Sequence, residues 1–130
     1  MKFDCREIAI NDEDLGCTVT FSEEVGKGLS QIDGSIDEII ASTKGQYILL
    51  QRTYPEDEIE RDHFYVETSN PDKAGELKDF SIELFRSRFL MSYQNEIYDL
   101  SIQVSDNEFK NLIKALKIII NKRGQFIIHD

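Results

Sequence analysis

"IYDLSIQVSDNEFKNLIKALKIIINKRG", residues 97–124, changes its hydrophobic period partway along. Over 97–104, Tyr98, Leu100, Ile102 and Val104 alternate with Asp99, Ser101 and Gln103, as in a strand buried on one side of a sheet. From Ser105 onward the apolar residues fall at Phe109, Leu112, Ile113, Leu116 and Ile120, which share one face of an α-helix. Ser105 and Glu108 have the spacing of a capping box, in which the hydroxyl and the carboxylate each take one of the helix's unpaired amides. Asp106 and Glu108 at the start, and Lys122 and Arg123 at the end, complement the helix dipole. Gly124 is a residue that turns left-handed at little cost, so the pattern predicts a helix from about Asp106 to Arg123.

The rest of the chain reads mainly as strands. "QYILLQR" (46–52) is apolar at consecutive positions, as in a strand covered on both faces. "HFYVETS" (63–69) is a second strand. "DFSIELF" (79–85) and "RFLMSYQ" (88–94) flank Arg86 and Ser87 as a tight hairpin. Nearer the start, residues 2–10 and "CTVTF" (17–21) are short strands joined by the turn-forming "NDEDLG" (11–16). "SIDEIIAS" (35–42) carries its own Ser-x-x-Glu signature and predicts a short helix near residues 35–43. "QFIIH" (125–129) is a last short strand. Together these give an α+β fold over residues 1–130 as a single domain: a meander-like antiparallel β-sheet with one long C-terminal α-helix packed on it.

The chain's 130 residues are of single-domain size, and 40% hydrophobic content is enough for a core. No apolar run approaches the roughly 20 residues that cross a bilayer. The "MKFDCREIAI" start has charges where the apolar core of a secretory signal would lie, so a cytoplasmic location and no membrane association are expected. The net charge is −10. It is uneven: residues 1–60 hold 14 acidic and 5 basic side chains, against 11 and 10 in residues 61–130. Such a surface repels phosphate backbones, which excludes a nucleic-acid partner. Lys110, Lys114, Lys117 and Lys122 read as the solvated face of the helix. Cys5 and Cys17 are too few for a disulfide framework or a four-ligand zinc site and are expected to be free, buried thiols.

The densest charge lies in "PEDEIERD" (55–62), where Glu56, Asp57, Glu58, Glu60 and Asp62 face a single cation, Arg61. No metal site fits these residues. "NDEDLG" matches a calcium loop in composition only, because with Gly16 in sixth place Leu15 and Ser22 fall where oxygen ligands belong. Glu60 and His63 make one Glu-x-x-His, whereas a di-iron bundle needs two. Catalysis is no better supported. The exposed carboxylates lack the contrasting environments that set an acid and a base apart, and there is no nucleophile elbow or phosphate loop. Neither a cofactor nor enzymatic activity is expected. A docking surface for a basic protein remains, since clustered carboxylates steer cationic partners and binding relieves their mutual repulsion.

"YILLQR" (47–52), the acidic loop, "FYVE" (64–67) and "FSIELFRSRF" (80–89) together resemble the immunity protein 10 family of bacterial polymorphic-toxin systems. The resemblance covers about a third of the chain, and "NPDKAGELKD" departs from it in offering Gly75 alone where a glycine-rich turn is expected. It implies a small cytoplasmic protein that binds and neutralises the C-terminal domain of a cognate toxin, with Glu56, Asp57, Glu58, Glu60 and Asp62 as the partner-binding residues. A toxin with a positive cleft, such as a nuclease, would suit an acidic surface extended by Asp12, Glu13, Asp14, Glu23 and Glu24. Within the matched strands, Arg52 and Glu67 are expected to pair. The competing readings are an acidic interaction module unrelated to toxins and a small enzyme using a carboxylate pair.

Overall fold

Period-two alternation dominates the chain, and the computed structural model, which describes residues 1–23, 45–55, 62–70 and 74–129, turns it into two sheets. One sheet is an antiparallel meander: β2 (Glu7–Glu13), β3 (Gly16–Ser22), β4 (Tyr47–Thr53), β5 (His63–Thr68) and β6 (Gly75–Glu76), side by side in that order. The other contains a second meander: β7 (Phe80–Phe85), β8 (Arg88–Tyr93) and β9 (Glu96–Ser101). It is extended by β1 (Lys2–Asp4), parallel to β9, and by β10 (Gln125–Ile128), parallel to β7. The helix α1 (Asp106–Ile120) makes the crossover between β9 and β10. The fold is α+β as expected, with the sheet divided in two.

The division occurs at Cys5 and Arg6. The Cys5 amide donates to Ser101 in one sheet and the Arg6 amide donates to Ser22 in the other. Residues 2–10, a single strand by pattern, are therefore β1 and β2, because changing sheets need not disturb side-chain alternation. The inner faces are apolar. Cys17, Val19 and Phe21 of β3, with Ile48 and Leu50 of β4, share one core with Ile82 and Leu84 of β7, Phe89 and Met91 of β8, and Tyr98 and Leu100 of β9. Phe21 and Phe89 meet there with ring centroids 4.4 Å apart. β4 is fully buried on this side only, since Tyr47, Leu49 and Gln51 on its other face are partly exposed.

The helix buries Phe109, Leu112, Ala115, Leu116, Ile119 and Ile120 in the same core. Its capping box forms: Ser105 Oγ accepts from the Glu108 amide at 3.2 Å, and Glu108 Oε1 accepts from the Ser105 amide at 3.0 Å. The helix ends earlier than predicted, at Asn121, which takes the left-handed conformation and donates to the Lys117 carbonyl. Asn tolerates that conformation better than most residues. Gly124 is left-handed too, for a different reason. A side chain there would meet the Phe80 carbonyl at 2.6 Å, so glycine lets the chain pass close to β7 as it enters β10. No helix among the described residues is long and apolar enough to cross a membrane. The short helix expected near residues 35–43 lies outside the described residues.

Phe89→Ala would remove one half of the contact between the sheets and should cost about 3–5 kcal/mol in urea unfolding. Glu108 has its carboxyl held below the usual range, first by the Ser105 amide and then by the Ser105 hydroxyl. A carboxyl lowered in the folded state adds stability that is present above its unfolded pKa and lost as pH falls through the folded value. The destabilisation caused by Glu108→Gln should therefore be largest near neutral pH and shrink as the pH falls below about 4.5, where wild type loses the carboxylate as well. A deficit independent of pH would disprove the linkage.

Candidate functional site

One end of the β2–β6 sheet carries an acid-rich turn and both anchors of a second acid-rich segment. The first is the β2–β3 turn, where Asp12, Glu13, Asp14 and Leu15 are exposed. Gly16 must follow, because a Cβ at this position would meet the Arg52 carbonyl at 2.4 Å. The close approach seats the turn against the end of β4: the Tyr54 amide donates to the Leu15 carbonyl at 3.0 Å, and the Tyr54 hydroxyl donates to Asp12 Oδ1 at 2.9 Å. Burial, then the Asp12 carboxylate, pushes the Tyr54 phenol up to about 12, so it remains a donor at neutral pH. Leu15 stands out from this rim, 67% exposed among carboxylates.

The second segment leaves the sheet after β4 and returns to it at β5. Both ends are fixed on the same side of the sheet, since Thr53 pairs with Gly16 on one neighbour and with His63 on the other. Of the predicted site residues, Glu56, Asp57, Glu58 and Glu60 lie outside the described residues. Asp62 is described, and it is already engaged. Its Oδ2 accepts from both Nε and Nη2 of Arg52, each group only about a fifth exposed.

Arg52 has further partners. Its Nη1 donates to the Ile118 carbonyl at 2.9 Å, satisfying an acceptor in the last turn of the helix that no intrahelical amide reaches. The guanidinium also lies over the rings of Tyr54 and Phe64, at 5.3 and 5.8 Å, and Arg123 covers Phe64 at 4.2 Å. Arginine suits this position because its planar fork can serve a carboxylate, a carbonyl and aromatic faces together. The expected Arg52–Glu67 pair does not form. Register places Leu49 opposite Glu67 and Phe64 opposite Arg52, so the two charged residues point to opposite faces of the sheet. Glu67 instead accepts hydroxyl bonds from Tyr47 at 2.8 Å and Tyr65 at 2.9 Å. Pattern alone could not find this arrangement, because it depends on register.

The remaining acidic candidates separate. Glu23 accepts from the Gln46 amide at the far end of β3, about 20 Å of strand away from the turn at Asp14, so it does not extend this acidic rim. Glu24 lies outside the described residues. Both cysteines are free and buried. Burial pushes the Cys17 thiol up, the nearby Asp12 carboxylate adds to that, and its Sγ faces the Ala115 carbonyl. Cys5 is also raised chiefly by burial, with its Sγ bonded to the Glu7 carbonyl. Each is held as a thiol, whereas nucleophilic chemistry requires the thiolate. Among the described residues, no three His, Cys, Asp or Glu side chains gather closely enough to hold a metal ion.

Comparison of the chain with protein families, with curated proteins and with solved structures finds no match.

Replacing Arg52 tests how this end is held. Arg52→Ala leaves Asp62 without its cation and the Ile118 carbonyl without its donor, and should cost about 2–4 kcal/mol in urea unfolding. Arg52→Lys should recover only part of that loss, because an ammonium group cannot reproduce the guanidinium fork. Full recovery by lysine would reduce the interaction to simple charge pairing.

Proposed function

We propose that this chain is an immunity protein that binds a bacterial toxin domain and neutralises it by occlusion. The observation that carries the reading is the meeting of the exposed Asp12–Leu15 turn with both anchors of the acidic segment 56–61 at one end of the sheet, in a chain of net charge −10. The resemblance of "YILLQR", "FYVE" and "FSIELFRSRF" to the immunity protein 10 family supports it further. Strong negative potential on a preformed scaffold speeds encounter with a cationic target.

In this reading the toxin is basic around its active site, as a nuclease would be, and the acidic end covers that region. Leu15 supplies an apolar anchor and the surrounding carboxylates form a charged rim, the arrangement common at protein interfaces. Glu56, Asp57, Glu58 and Glu60 contact the toxin. Asp62, bonded to Arg52, holds the segment in place. Inhibition is steric, and the chain performs no chemistry on its partner.

Co-expression with a candidate toxin domain, sought in the gene next to this one, tests the proposal. Cells should survive and the two chains should co-purify; killing that proceeds equally with and without this chain would refute it. Exchanging Glu56, Asp57, Glu58 and Glu60 for lysine should slow association at low salt by roughly tenfold or more and flatten its salt dependence. The melting temperature should change little, and stopped-flow rates matching wild type would remove the segment from the interface.

A further inference from the structure

Among the described residues the two sheets have four outer strands, and three of them carry features that discourage pairing with another chain. β1 is three residues long and includes Lys2 and Asp4, β6 has two residues, and β2 bears Glu7, Asp12 and Glu13. Short length and charge are the usual protections of a sheet edge. β10, with the sequence QFII, has neither charge nor proline. Its inner neighbour is β7, and the His129 amide donates to the Leu84 carbonyl across that ladder. In a parallel ladder the residues that bond the neighbour alternate, so Gln125, Ile127 and His129 face β7 while the amides and carbonyls of Phe126 and Ile128 point to the open edge. No hydrogen bond to those groups comes from the other described residues.

We infer that β10 is the interface of a symmetric dimer, pairing antiparallel with β10 of a second copy so that the two β1–β10 sheets become one continuous sheet. The sequence of the strand matches itself under a two-fold axis at Ile127. Phe126 of each copy then exchanges backbone hydrogen bonds with the second copy's Ile128. Ile127, 38% exposed, faces the second copy's Ile127 in a non-hydrogen-bonded pair, where side chains approach most closely. Phe126 and Ile128, only partly buried against the core, gain cover on the inner face by the same operation. On the outer face Gln125 comes opposite the second copy's His129, whose ring is stacked on Phe85 and held by Glu83 through Nε2, leaving Nδ1 to meet the glutamine amide. An isologous contact of this kind requires the same patch to serve both sides, and these five residues do so without charge conflict. The acidic turn at Asp12–Leu15 belongs to the other sheet, so the toxin-facing end and the dimer edge are built from different strands.

Sedimentation of the full chain should give a mass twice 15.1 kDa at high concentration, with dissociation on dilution. Added salt should strengthen the dimer, because it screens repulsion between two chains of net charge −10. Ile127→Lys places two ammonium groups opposite each other and should weaken association at least tenfold. It should leave the circular dichroism unchanged, because the new cation sits beside Glu83 on β7. Ile127→Cys should give a covalent dimer on mild oxidation, with Cys5 and Cys17 buried and unable to compete. A chain that stays monomeric at all concentrations, a dimer that survives Ile127→Lys, or Ile127→Cys that fails to cross-link would each overturn the proposal.

Discussion

Arg52 joins β4, the start of β5 and the end of the helix through one side chain. Its guanidinium binds Asp62 at the start of β5, caps the Ile118 carbonyl in the last turn of α1, and lies against Tyr54 and Phe64. A cation here meets the negative end of the helix dipole as well as a carboxylate, and both attractions act where solvent screens them poorly. The acidic segment between β4 and β5 is therefore anchored at its return to a cation that is itself tied to the helix. Without such an anchor, the repulsion among its carboxylates would work against the turn back into the sheet.

The distribution of charge follows the distribution of partners. Arg88 makes a two-pronged pair with Asp99, and the capping box and Arg86 occupy the first carboxylates of the helix. Asp99 and Asp106 have their carboxyls lowered chiefly by hydrogen bonds from these arginines. On the β2–β3 turn the carboxylates are exposed, and Asp12 accepts from the Tyr54 hydroxyl. Paired charges set local geometry. Exposed charges of one sign set a field, and the β2–β3 turn places three of them, Asp12, Glu13 and Asp14, side by side.

The two sheets also meet solvent differently. The β2–β6 sheet keeps a polar outer face in which Glu67 is bracketed by Tyr47 and Tyr65 and flanked by Thr18, Thr20 and Gln51. The β1–β10 sheet places Ile97 and Ile127 on its outer side, among the most exposed large apolar residues described. Exposed apolar side chains occur on both sheets, Ile10 and Leu15 on the one that offers the acidic turn and Ile97 and Ile127 on the other.

Much of this was written in local pattern. The capping box, the apolar face of α1, the β7–β8 hairpin and the existence of β9, though not its end at Ser101, follow from spacing of three, four or two residues, because helices and strands impose those periods directly on neighbouring side chains. The acidic character of the candidate site was likewise plain from "PEDEIERD" and "NDEDLG". What pattern could not carry was pairing between distant segments. The change of sheet at Cys5, the parallel docking of β1 and β10, the capture of Asp62 by Arg52 and the removal of Glu23 to the far end all depend on strand order and register. Register is fixed by which faces fit together in the shared core, a property of the whole chain rather than of any stretch within it.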